Sequence, residues 1–241
     1  MRQARERNME CVPIMSADAA LAAEALDLLV VAGGDGTVLR YADCASSREI
    51  PVLGVHFGRV GFLSEILFDS FEEALDRLMT GRFGIEERMM LRCTINNDLT
   101  VHCLNDILVF KHSFSGTVQI DVTIDGKPVG TVFCDGILAA TPTGSTAYSL
   151  SAGGPVVAPG LDAILVTSVC SHTLHMRPIV ASADSTIEFK VAQNGFVASD
   201  GIKVREVQNE DVIRVRRSER KTRFIRFGDT NLFGLIHEKL S

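Results

Sequence analysis

The chain has 241 residues, 46% of them hydrophobic and 22% charged, with a formal net charge of −6. This composition belongs to a globular protein with one large or two modest domains and excludes a disordered chain. The acidic balance argues against a general nucleic-acid or membrane-surface role, and no apolar run approaches the roughly 20 residues that cross a bilayer.

The opening MRQARERNMEC lacks the apolar stretch of a signal peptide and reads as the tail of a helix feeding a short strand, CVPIM. A cytoplasmic protein is therefore expected. Because a doubly wound domain normally opens on a strand, this start also predicts that an upstream strand and most of its helix are missing; the alternative is a genuinely short variant. Ser16 then caps a helix over SADAALAAEAL. DLLVVAGG reads as a buried parallel strand running into glycines, and IPVLGVHFGRVGFLSE repeats that scheme. In DSFEEALDRLMTG, Ser70 and Glu73 have capping-box spacing, Phe71, Ala74, Leu75 and Leu78 share a face, and Gly81 is the stop. The alternation predicts an open α/β sheet, doubly wound and Rossmann-like, over residues 1–85. In such sheets ligands bind beyond the carboxyl ends of the strands, where both glycine loops fall.

After Arg88 the rhythm changes to short β-branched segments: LRCTINN, LTVHCLNDILVF, GTVQIDVTIDGKPVGTVFCDGILAAT, STIEFKVA and DVIRVRR. IDGKPVG is a hairpin signal. Only STAYSLSAGGP and NLFGLIHEKL read as helices. A mainly β, sandwich-like domain over residues 86–225 is predicted, with the terminal segment 226–241 joining the first domain. The six cysteines (Cys11, Cys44, Cys93, Cys103, Cys134, Cys170) form no C-x-x-C pair and lie among apolar neighbours, so buried thiols are expected. His172 and His175 lack a third ligand and read as packed or solvated, not as a zinc site. The one basic run, RVRRSERKTRFIR from Arg214 to Arg226, reads as the solvated face of a terminal strand or hairpin in preference to a polyanion site.

Two segments carry chemistry. GGDGT (Gly33 to Thr37) brings backbone close to a ligand, since three of its five residues lack a side chain. A carboxylate at its centre weakens a simple phosphate cradle. Asp35 therefore meets a substrate hydroxyl, holds Mg²⁺ near phosphates, or merely makes an Asx-type turn. DGILAATPTGSTAYSLSAGGP packs seven hydroxyls between Thr141 and Ser151 around Gly144, with a helix start at Ser145 or Thr146. That many neutral donors and acceptors suits a nucleoside's ribose, base edge and phosphates. No GxxxxGK[ST] loop is present, so a phosphate donor is bound by other means.

In order along the chain, GGDGTVLR, GFLSE, GRFGIEERMML, CLNDILV, CDGILAATPTGSTAYSLSAGGPVV and SHTLHMRPIV resemble the NAD kinase family, which phosphorylates the 2′-hydroxyl of NAD's adenosine ribose to give NADP. GGDGT alone is shared with diacylglycerol and sphingosine kinases; TPTGSTAYSLSAGGP makes the resemblance specific. The resemblance implies that Asp35 is the catalytic residue at the reacting hydroxyl and that Phe62 walls the adenosine. It places Asn105, Thr146 and Ala147 at the adenine and its ribose, and Asp135, Tyr148 and Ser151 at the nicotinamide riboside. The wider dinucleotide-binding set so implied adds Gly33, Gly34, Gly36, Thr37, Arg40, Asp106, Thr143, Cys170 and Asp200, with no residue assigned as a metal ligand. Mg²⁺ accompanies ATP, or polyphosphate serves as donor. Because family sites are partly supplied by a neighbouring subunit, a homo-oligomer, dimer or tetramer, is expected.

Two departures stand out. Asn105-Asp106 replaces the usual Asn-Glu, and His56 replaces an asparagine; His56 reads as a packed loop residue in preference to a phosphate partner. Asp200 is read either as an acidic neighbour of the dinucleotide or as a turn aspartate. In a loose phosphoryl-transfer transition state, Asp35 is expected to align the hydroxyl and accept its proton late. A lipid kinase sharing GGDGT and a non-catalytic dinucleotide sensor are the competing readings.

Overall fold

The computed structural model describes residues 2–23, 25–58, 61–173, 175–228, 234 and 236. The chain forms two compact units, residues 1–87 with 222–241, and residues 88–221.

The first unit contains α1 (Arg2–Arg5), α2 (Ala17–Ala22), β1 (Leu29–Ala32), α3 (Asp35–Ser47), β2 (Val52–His56), β3 (Ile66–Leu67) and α4 (Phe71–Met79). β1 and β2 pair in parallel, from Leu29 opposite Val52 to Ala32 opposite Val55, with α3 as the crossover. Phe224 also pairs in parallel with Val52, and β3 with Val55 and His56, so β2 is the central strand. Its Leu53 and Val55 pack with Ile225, Leu28, Ile66, Phe71, Leu78 and Phe227. Val38 and Ala42 of α3 are fully buried. β1 departs from the buried strand expected: its burial alternates, and Val30 is 39% exposed.

Local signals in this unit fared unevenly. Ser16 caps α2 by accepting the Ala19 N–H at 3.1 Å, but the helix stops at Ala22 because Ala23 turns extended. The Ser70–Glu73 capping box does not form. Ser70 ends a 3₁₀ turn, Phe68–Ser70, at φ −92° and ψ 7°, whereas a capping side chain needs extended backbone. Gly81 does end α4, at φ +67°. CVPIM forms no strand. The predicted helix over NLFGLIHEKL lies outside the described residues apart from Gly234 and Ile236.

Strand β4 (Gly84–Ile95) leads into the second unit, which holds β5 (Leu99–Cys103), β6 (Asp106–Lys111), β7 (Val118–Ile124), β8 (Lys127–Cys134), β9 (Gly136–Ala140), α5 (Tyr148–Ser151), β10 (Ala163–Val169), β11 (Ile179–Ser182), β12 (Ile187–Val191), β13 (Gly195–Ser199), β14 (Ile202–Val207) and most of β15 (Val212–Arg226). One antiparallel layer runs β11-β10-β9-β6-β13-β14; the other joins β8, β7, β12, β15, β4 and β5. Ile107, Val109, Ile137 and Val166 of the first layer bury against Ile120, Val122, Phe189 and Val215 of the second. This is a sandwich core. The predicted hairpin is present, and Asp125 and Gly126 both take the positive φ that a tight primed turn requires.

The outer face of β9 is also covered, by Val157 and Ala152 packed with Leu138, Ala140 and Leu165. Every β9 residue is therefore buried. The helix predicted from Ser145 or Thr146 is much shorter: Thr143–Thr146 is a 3₁₀ turn, Ala147 breaks it at φ −100° and ψ −130°, and one turn of helix follows.

The arrangement is mixed α/β followed by a β-sandwich, as the alternation of patterns implied. Among the described residues no helix is long and apolar enough to cross a membrane. All six cysteines are free; four are buried, and burial pushes the Cys93 and Cys134 thiols up to about 12. Cys170 is exposed and Cys11 half-buried, contrary to expectation.

Candidate active site

In the first unit, Gly33 and Gly34 connect β1 to α3, and Asp35 opens the helix. The Asp35 carboxylate makes no Asx turn into its own helix. It reaches across to the second glycine loop and accepts the N–H groups of Phe62 at 2.8 Å and Leu63 at 3.2 Å. Gly61 makes this approach possible, since a Cβ there would stand 1.8 Å from Asp35 Oδ1. A carboxylate has about four acceptor positions, so capacity remains for a hydroxyl. His56 accepts the Gly58 N–H on Nδ1 at 2.8 Å while its Nε2 faces Gly34. Thr37 and Phe62 are half-buried near this clasp, whereas Gly36 and Arg40 are exposed.

In the second unit, Asp200 is the organiser. It sits at φ +48° in the turn between β13 and β14, and its carboxylate accepts the N–H groups of Leu104 (2.8 Å), Asn105 (2.7 Å) and Asp106 (3.2 Å). This is the geometry of a turn aspartate, one that also holds the backbone of Asn105 and Asp106 in place. Asp106 is buried, and burial together with the Asp200 charge pushes its carboxyl up to about 7.

The hydroxyl-rich segment divides sharply. Thr141 Oγ donates to the Leu104 carbonyl at 2.6 Å, and Ser145 Oγ bonds the backbone of Pro142 and Val157. Ser149 Oγ meets Thr167 Oγ at 3.2 Å. These three side chains are fully buried and serve the loop's own architecture. Thr143 accepts from buried Arg88 at 3.3 Å, while Thr146 is half-buried and Tyr148 and Ser151 are exposed. The glycines of GGP are likewise structural: Gly153 has φ +88°, and a Cβ on Gly154 would stand 2.4 Å from Ser149 Oγ. Fewer than half of the seven hydroxyls thus face outward as the sequence reading required.

Asp135 is held by Lys111 at 2.6 Å, and Lys111 also donates to the carbonyls of Phe114 and Gly116. Sequence reasoning missed Lys111; a lysine closing an apolar strand was its only signal. Burial, Cys170, Asp106 and Asp135 all push the Tyr148 hydroxyl pKa up, which puts these side chains in one electrostatic neighbourhood. Among the described residues no three His, Cys, Asp or Glu side chains could hold a metal ion.

Residues 4–83 match the ATP-NAD kinase N-terminal domain model, and residues 104–227 the ATP-NAD kinase C-terminal domain model. The chain belongs to the NAD kinase family. It is 42% identical over 218 residues to the NAD kinase of Moorella thermoacetica, covering 88% of this chain and 70% of that one. The NAD kinase of Geotalea daltonii is 38% identical over 90% of this chain and 79% of its own. Among solved structures, a yeast NADH kinase complexed with NADH superposes with a TM-score of 0.86 at 29% identity, over 94% of this chain and 69% of that one. An NAD kinase from Archaeoglobus fulgidus in complex with ATP gives 0.82 at 28% identity, over 98% and 92%. Set beside the NAD kinase pattern, the Asp200 clasp gives the Asn105-Asp106 pair a physical basis: one carboxylate fixes the backbone of both.

Proposed function

We propose that the enzyme transfers the terminal phosphoryl group of ATP to the 2′-hydroxyl of the adenosine ribose of NAD, giving NADP. Family membership supplies the phosphotransferase activity toward an NAD hydroxyl. The comparisons lend nothing to a lipid kinase or a dinucleotide sensor. The observation that carries the residue assignment is Asp35: a carboxylate fixed by two amides, with acceptor capacity left over.

A rigidly held carboxylate orients a ribose hydroxyl at no further entropic cost. As the bond to phosphorus develops, Asp35 accepts the proton. Phe62 walls the adenosine, and Asn105 with Thr146 and Ala147 reads its base and ribose. Tyr148, Ser151 and the Lys111-held Asp135 receive the nicotinamide riboside. Their exposure suits completion by a second copy, so a homo-oligomer is our reading, in the cytoplasm and without nucleic acid or membrane as partner. Mg²⁺ is taken to arrive on the donor's phosphates, and no step is routed through a protein-held ion. ATP is preferred to polyphosphate as donor.

The test is incubation with NAD, ATP and Mg²⁺, with NADP read by an NADP-specific dehydrogenase. Asp35→Asn should lower the rate by about 10² to 10⁴ while NAD still binds by calorimetry. An unchanged rate in the variant would remove Asp35 from catalysis; absence of NADP from the parent enzyme would remove the proposed reaction.

A further inference from the structure

Phe57, Phe68 and Phe71 form a ladder of rings in the first unit. Phe71 is rooted in the core beside Leu53, Val55 and Ile225. Phe68 stacks over it with centroids 6.3 Å apart and planes 5° from parallel, and Phe57 follows at 5.0 Å, tilted by 32°. The outer two rings face solvent, Phe57 at 64% and Phe68 at 51% exposure. Exposing two large rings without a ligand is unfavourable, and nothing in the secondary structure demands it.

The ladder's place is informative. Phe57 immediately follows β2, at the carboxyl end of the parallel strands, where open α/β sheets bind ligands. Its neighbour His56 presents Nε2 to Gly34, 3.8 Å from where a Cβ on that residue would lie. An exposed ring therefore stands one residue from the side chain lining the GGDGT loop. The two rings and the half-exposed Leu67 offer an aromatic face that a planar base can cover.

We infer that Phe57, braced by Phe68, is the platform on which the purine base of the nucleoside triphosphate donor stacks. This rests on the reading of ATP as donor and deepens it. Every nucleobase offers a π-face to an aromatic side chain. Inorganic polyphosphate has no base, so the platform favours a nucleotide over a bare phosphate chain. Phe71 anchors Phe68 in the core, which limits the entropy lost when the outer rings receive the base.

The experiment measures binding of MgATP and of magnesium tripolyphosphate by calorimetry, for the parent, Phe57→Ala and Phe57→Trp. Phe57 is largely exposed, and a thermal melt confirms that the variants fold. Phe57→Ala should weaken MgATP binding by about fivefold to 150-fold, the range for loss of one base stack, and leave tripolyphosphate binding within twofold. Phe57→Trp should bind MgATP at least as tightly as the parent. Unchanged MgATP affinity in Phe57→Ala would overturn the inference, as would an equal loss for both ligands. A change in oligomeric state with unchanged MgATP affinity would overturn it in favour of contact between copies. These measurements need no turnover, so a failure to make NADP tells against the proposed reaction and leaves this test standing.

Discussion

The Asp106 carboxyl illustrates how one residue links structure to pH. Buried beside Asp200, it is pushed up to about 7, against about 3.9 for an aspartate in an unfolded chain. Between those values the folded state holds a proton that the unfolded state has released. Stability contributed by Asp106 is therefore complete below about pH 4 and declines as pH rises to about 7, by up to about 1.4 kcal/mol per pH unit. Cys103, Asp200 and Tyr148 are the titratable groups coupled to it. Urea midpoints for the parent and Asp106→Asn from pH 4.5 to 7 should converge or diverge with that slope; parallel curves would show that Asp106 ionises normally. Asp35 contributes through geometry instead: two backbone amides fix the orientation of its carboxylate.

Among the elements, the turn from Thr141 to Thr146 is the most constrained. A Cβ at Gly144 would stand 2.2 Å from the Asn105 carbonyl oxygen, which is backbone and has no room to yield. Gly144→Ala should destabilise the second unit by about 1–3 kcal/mol and weaken NAD binding, measured by denaturant titration and calorimetry. The sequence disclosed this element as important but not what its letters do. Strand and hairpin patterns were readable because alternation and Asp-Gly turn chemistry are local. The Ser70 cap and the length of the Ser145 helix were not, because a preceding 3₁₀ turn and a break at Ala147 depend on how the flanking chain packs. GGDGT revealed Asp35, yet its partners lie 27 and 28 residues further on, beyond the reach of any local pattern. The basic run is the strand face expected of it: β15 alternates buried with accessible positions, and Arg214 pairs with Glu188, Arg217 with Asp162 and Asp184, and Arg223 with Glu49 and Glu87, while Arg226 departs from the expectation in being buried.

At the scale of the whole molecule, the first unit is assembled from both ends of the chain. Phe224 and Ile225 supply its core, and Arg226 bonds Glu65 at 3.0 Å and Glu86 at 2.7 Å. The Glu65 side chain is 10% exposed, and it further accepts the Phe227 N–H. Arg226→Ala would leave that carboxylate without its cation and should cost about 3–5 kcal/mol in the first unit, read as an early unfolding transition. An unshifted melt would show that Glu65 finds solvent instead.

The buried hydroxyls of Thr141, Ser145 and Ser149 bear on how such a protein is recognised at all. They are spent on the chain's own carbonyls, amides and a neighbouring threonine, so the letters that make this segment distinctive are in part a record of how a loop is tied. A descendant that had stopped phosphorylating anything would keep spelling them for as long as it kept its shape.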